Sequence, residues 1–162
     1  MILRPARDDD SVDIITLIES CFAEYPGNIL DVDFEEPELR QPATAYPGFW
    51  VVDDQQGGIV GCIALGLSNT PIAELKKCYV HASQRGKGWG RKLEAEVAAA
   101  AIRQGCHSVE LWTDTRFTLA HKVYEALGYQ MTGKMRELQD LSQTVEYHYL
   151  RKLDLRKDAA QG

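Results

Sequence analysis

The chain has 162 residues, of which 44% are hydrophobic and 26% charged, with a formal net charge of −6. That is one globular domain with length enough for a core, and the acidic balance argues against nucleic acid as the main partner. No apolar run is long enough to span a bilayer and no signal-peptide pattern opens the chain, so a cytoplasmic location without membrane contact is expected.

Met1 to Arg4 reads as a short strand. A helix follows, with capping candidates from Asp8 to Ser11 and with Val12, Ile15, Leu17, Ile18 and Phe22 mostly on one side; Pro26-Gly27 ends it. A second helix is expected over Ile29 to Leu39, and a loop over Pro42 to Gly48. Phe49-Trp50-Val51-Val52 and Ile59 to Leu67 form a hairpin around Gln55-Gln56-Gly57-Gly58. Ile72 to His81 is the fourth strand and runs into a glycine-rich turn. The helix from about Gly90 to Gln104 buries Leu93, Val97 and Ala101 and closes at Gly105. Ser108 to Asp114 is a strand, Arg116 to Leu127 a helix, and Tyr129 to Met135 and Val145 to Leu153 the last two strands. The spacing implies a single domain over 1–155, with 156–162 a frayed tail.

Cys21, Cys62, Cys78 and Cys106 are scattered, with no C-x-x-C pair, and His81, His107, His121 and His148 are equally dispersed. Reduced thiols packed in a core and no metal site are expected.

The chemistry begins in the turn Gln84-Arg85-Gly86-Lys87-Gly88-Trp89-Gly90-Arg91-Lys92. Glycines at alternate positions let several backbone N–H groups converge, and the helix behind them adds unpaired donors and a positive dipole end. Arg85, Lys87, Arg91 and Lys92 add charge, so the turn suits a phosphate or pyrophosphate. A P-loop requires Ser or Thr after Gly-Lys, where this chain has Gly88, and a Rossmann turn requires G-x-G-x-x-G, where it has G-x-G-x-G.

Read as R-x-x-G-x-G through Arg85, Gly88 and Gly90, the turn resembles the acetyl-CoA signature of the GNAT acetyltransferase superfamily. Downstream, Ala120-His121-Lys122-Val123-Tyr124-Glu125-Ala126-Leu127-Gly128-Tyr129 resembles that family's second motif, A-x-x-L-Y-E-K-x-G-F. Phe117, Ala120, Tyr124 and Leu127 share one helical stripe, and Gly128 is a natural helix stop. The resemblance implies an α+β fold, an α/β/α sandwich around a mixed central sheet of about seven strands. Strands 4 and 5 splay apart in it to admit the thioester arm of acetyl-CoA. It further implies that the backbone around Cys78, Tyr79 and Val80 pairs with the pantetheine arm, and that the Arg85–Lys92 turn holds the pyrophosphate.

The implied activity is N-acetyl transfer from acetyl-CoA, a co-substrate, to a primary amine by direct attack in a ternary complex. A free alkylamine has a pKa near ~10 and must lose a proton. The departing thiolate gains from a general acid. By resemblance Tyr124 is that acid, and Glu74, within Ala73-Glu74-Leu75, stands where many relatives place a base; a water relay is the alternative to it. Relatives often carry Asn where this chain has Phe117, which leaves Phe117 as the contact to the CoA arm from that side.

The acceptor pocket in the family lies between the first two helices and the loop joining the last two strands. The first segment here carries Asp31, Asp33, Glu35, Glu36 and Glu38, a set that attracts cations or is a solvated face. The second, Arg136 to Ser142, lines the pocket or covers a homodimer contact. The acceptor is a small-molecule or peptide amine. The rival readings are a non-catalytic acyl-CoA sensor of the same fold and a nucleotide-binding α/β module.

Overall fold

The computed structural model describes residues 1–159. Its strands are β1 Ile2–Pro5, β2 Gly48–Asp53, β3 Ile59–Gly66, β4 Ile72–Val80, β5 Ser108–Asp114, β6 Gln130–Glu137 and β7 Val145–Lys152. Its helices are α1 Ser11–Phe22, the single turn α2 Pro42–Ala45, α3 Trp89–Arg103 and α4 Thr118–Ala126. The strands form one seven-stranded sheet in the order β1-β2-β3-β4-β5-β7-β6. Every neighbouring pair is antiparallel except β4 with β5.

Alternation along the strands builds a core on each face. Phe49 and Val51 pack with Ile14, Leu17 and Ile18 of α1, while Trp50 and Val52 pack with Leu93 and Val97 of α3. Tyr124 of α4 joins the α3 side. This is the expected three-layer α/β/α arrangement. The start of α1 is pinned by Asp10, which accepts from the Arg7 backbone at 2.7 Å and from Arg4 at 2.8 and 2.9 Å.

The expected helix over Ile29 to Leu39 does not form. That stretch is irregular until a 3-10 turn at Pro37–Arg40, and α2 occupies part of the expected loop. Proline at 37 removes a donor and clashes with a preceding turn. The acidic side chains find distant partners instead: Glu35 accepts from the Leu141 backbone at 2.7 Å, and Glu36 pairs with Lys77. Phe34 is 88% exposed.

The C-terminal segment expected to fray is tied back through Asp158, whose carboxylate takes two bonds from Arg151 at 3.1 Å. The same arginine holds Glu94 of α3 at 2.6 Å, and Glu94 also accepts from the Tyr129 hydroxyl at 3.0 Å. Residues 160–162 of that expected tail lie outside the described residues.

Candidate active site

β4 and β5 pair only over Ile72–Glu74 with Ser108–Glu110. Beyond that, β4 stays with β3 as far as Val80, and β5 stays with β7 as far as Asp114, so the two strands diverge as expected. Among the described residues, the β5-facing edge of β4 from Leu75 to Val80 therefore has no strand partner, which leaves backbone donors and acceptors available along it. The gap opens into a cleft of about 780 Å³ lined by β4, the glycine turn, α4 and the segment after α1.

A bulge in β4 aims the side chains of this wall. Lys76 stands opposite Ala64 and Tyr79 opposite Cys62, so Lys77 and Cys78 share one position against β3. Lys77 takes φ +53, a left-handed conformation uncommon for a side-chain-bearing residue. Ala73 and Leu75 face α3, and after the bulge Cys78 and Val80 do too, while Tyr79 faces α1. By the same alternation Glu74 points to the α1 side.

The Cys78 thiol is pushed up to about 12 by burial and stands beside the Tyr124 hydroxyl. Burial also raises that hydroxyl well above its ordinary value, the neighbouring Cys78 and Tyr79 adding to the effect, and Tyr124 is 7% exposed. A tyrosine so placed keeps its proton and meets the cleft as a hydrogen-bond donor. Glu74 lines the cleft at the last paired register, in line with Glu110 of β5, and among the described residues it takes part in no ion pair.

The glycine turn has the geometry of an anion cradle. Gly86 and Gly88 sit at φ +76 and +86, and a Cβ at either meets nothing within 4 Å. Gly88 is the N-cap of α3, it caps with no side chain, and no acidic residue stands in the first helical turn. The first turn of α3 leaves its N–H groups unpaired at the positive end of the dipole, and Gly88, Trp89, Gly90 and Arg91 line the cleft.

The basic side chains of the turn divide. Arg91 lines the cleft. Arg85 also lines it, but its guanidinium is committed to Glu24, with both bonds at 2.7 Å, and to the Val80 carbonyl at 3.0 Å. It ties the turn to the end of α1 and to β4. Lys87 reaches Gln84 at 3.2 Å and Lys92 lies over the Trp89 ring at 4.5 Å; neither is among the lining side chains, whereas Trp89 and Gly90 are.

Phe117 caps the start of α4 and lines the cleft. Its ring lies 4.9 Å from Tyr25, 6.0 Å from Phe22 and 6.5 Å from Tyr79. It is part of an aromatic wall on the α1 side. The two segments expected to shape an acceptor pocket meet there: Ser142 accepts from the Ile29 N–H at 2.8 Å and donates to the Ile29 carbonyl at 3.1 Å. Arg116 bonds Asp114 at 2.8 Å and is not among the lining side chains.

Sequence reasoning overlooked Lys77 and Asn28, both lining the cleft. Lys77 is marked by nothing local, because a bulge shows only in the pairing of two strands. Asn28 follows Pro26-Gly27, a turn signal that locates the wall without naming the side chain.

The unpaired edge, the cradle and the cleft together fit a long, anionic thioester such as acetyl-CoA. The model of the acetyltransferase (GNAT) family matches residues 13–129. N-acetylaspartate synthetase of Xenopus tropicalis is 32% identical over 102 residues, 62% of this chain and 36% of that protein, so the chain spans about a third of this relative's length. An acetyltransferase of the GNAT family from Staphylococcus aureus Mu50 superposes with a TM-score of 0.78 at 22% identity, covering 94% of this chain and 99% of that one. The Salmonella typhimurium protein yncA, solved with its cofactor acetyl-CoA, superposes with a TM-score of 0.70 at 19% identity, covering 95% of this chain and 94% of that one.

Proposed function

The chain belongs to the acetyltransferase (GNAT) family, and we propose that it moves an acetyl group from acetyl-CoA to a small primary amine by direct attack within a ternary complex. The observation that carries this reading is the placing of two candidate groups on opposite faces of one gap. Glu74 points from β4 to the α1 side, and Tyr124 reaches the α3 side beside Cys78.

Acetyl-CoA supplies the thioester carbonyl that the amine attacks. The free edge of β4 binds its arm, the first turn of α3 with Gly86 and Gly88 takes the pyrophosphate, and Arg91 adds charge at the mouth. Arg85 serves by fixing the turn. The acceptor enters from the α1 side, between the aromatic wall and the segment after α1. Glu74 takes the amine's proton, directly or through water, and Tyr124 gives its own to the departing sulfur. Holding both reactants in one cleft supplies much of the rate gain. The relative named for N-acetylaspartate synthesis supports an acceptor of small-molecule size.

Thiol release from acetyl-CoA across polyamines, amino acids, aminoglycosides and short peptides tests the reading. Turnover on one class establishes it. Binding of acetyl-CoA with silence across every class supports an acyl-CoA sensor instead.

A further inference from the structure

Among the described residues, two buried side-chain atoms lack a hydrogen-bond partner, Glu36 Oε2 and Asn28 Nδ2, and both residues line the cleft. A buried polar atom without a protein partner is costly unless a ligand or a water completes it. One of these atoms accepts and the other donates.

The Glu36 carboxylate is anchored through one oxygen, and the Asn28 backbone is fixed. Glu36 gives its other oxygen to the Lys77 ammonium, which is only 15% exposed, and Lys77 is fixed in the bulge of β4, where its carbonyl takes the Cys62 thiol at 3.2 Å. The negative charge of Glu36 is felt at the Tyr79 hydroxyl, which burial raises first and Glu36 next. Asn28 is held by its backbone bond to Tyr25 at 3.2 Å, and the following residue is bonded in both directions to Ser142. Glu36 keeps 25% of its side chain exposed. A carboxylate turns readily about its last bond, so the unbonded oxygen meets an incoming group while Lys77 keeps the other.

We propose that Glu36 receives the acceptor's amine nitrogen and Asn28 the carboxylate or carbonyl oxygen beside it, so that the acceptor is a small amine of the α-amino-acid kind. The proposal rests on the N-acetyltransferase reading and names the acceptor for that site. An ammonium offers donors alone and a carboxylate acceptors alone, so a Glu oxygen and an Asn amide together read both ends. The rings of Tyr25 and Phe117, which line the same cleft, suit a cationic group. Lys77 is a positioning residue: it holds the Glu36 carboxylate at the wall.

The test is steady-state kinetics with L-alanine, L-aspartate and L-glutamine against ethylamine and putrescine, alongside acetyl-CoA binding and thermal melting for each variant. The wild type is expected to favour at least one amino acid over both simple amines by about tenfold in kcat/KM. Glu36→Gln is expected to raise the KM for that amino acid about tenfold while acetyl-CoA affinity holds, and Glu36→Asp to recover part of the loss. Asn28→Ala is expected to narrow the preference for the amino acid over ethylamine. An unchanged KM in folded Glu36→Gln, or preference for a simple amine, overturns the proposal, as does failure to use any amino acid while acetyl-CoA binds. Failure to bind acetyl-CoA at all defeats the N-acetyltransferase reading, and this proposal with it.

Discussion

Arg85 and Glu24 form a two-pronged ion pair, with both nitrogen–oxygen distances 2.7 Å, between residues 61 positions apart. It joins the glycine turn to the end of α1, and a third bond from Arg85 to the Val80 carbonyl joins both to β4. Glu24 lies outside the cleft lining, so its removal reports on how firmly the turn is held. A pair about one-third exposed with this geometry contributes about 1 kcal/mol, and Glu24→Ala is expected to weaken acetyl-CoA binding by about fivefold, read by calorimetry.

The glycines of the turn are not equivalent. A Cβ at Gly88 meets no protein atom but is forced to φ +86, while one at Gly90 meets Val123 Cγ1 at an ordinary 3.7 Å without a left-handed backbone. Gly88→Ala is expected to cost about 1 kcal/mol of stability and to lower acetyl-CoA affinity further by filling the cradle. Gly90 is the second residue of α3, and Gly90→Ala is expected to leave the melting temperature unchanged or raise it by a few degrees. Melting curves with and without acetyl-CoA separate the two.

Arg151 neutralises two carboxylates that are almost wholly covered, Glu94 at 8% and Asp158 at 9% side-chain exposure. Arg151→Met leaves both charges without that partner, and urea denaturation is expected to show a loss of about 3–5 kcal/mol. Glu94→Gln keeps the shape and an acceptor for Tyr129, and costs less.

Acid weakens the fold through a different set. The carboxyl of Asp10 is held below its ordinary 3.8 chiefly by the Arg4 side chain, that of Asp53 by the Gln55 backbone and then Arg4, and that of Glu24 below 4.5 by Arg85. A carboxyl whose folded value is depressed contributes stability above its unfolded value and loses it as pH falls toward the folded one. The melting temperature is therefore expected to hold from neutrality to about pH 5 and to decline below it.

The sequence made the central βαβ unit readable because each signal there is local. The apolar run of β4, the glycines, the Leu93–Val97–Ala101 stripe and Gly105 place α3 within one residue of its ends, and Ser108–Asp114 is β5 as read. Ile29 to Leu39 misled because Ile29, Leu30, Val32 and Leu39 satisfy a helical spacing while Pro37 and the ties to Leu141 and Lys77 decide otherwise. Arg85 belongs to the turn as read, but its pairing with Glu24 arises only when α1 folds against β4. The bulge at Lys77 is likewise a property of strand pairing. It decides that Cys78 faces Tyr124, and it places Glu36, 41 residues earlier in the chain, at the wall of the same cleft.

The Tyr124 hydroxyl, buried beside Cys78 and raised above its ordinary 10, retains its proton at neutral pH. The measurement that bears on it most directly is kcat and acetyl-CoA affinity for the wild type and Tyr124→Phe on one accepted amine. A loss of kcat on the order of a hundredfold with acetyl-CoA affinity unchanged is the predicted result. Equal turnover by the two proteins would contradict the assignment of Tyr124 as the acid.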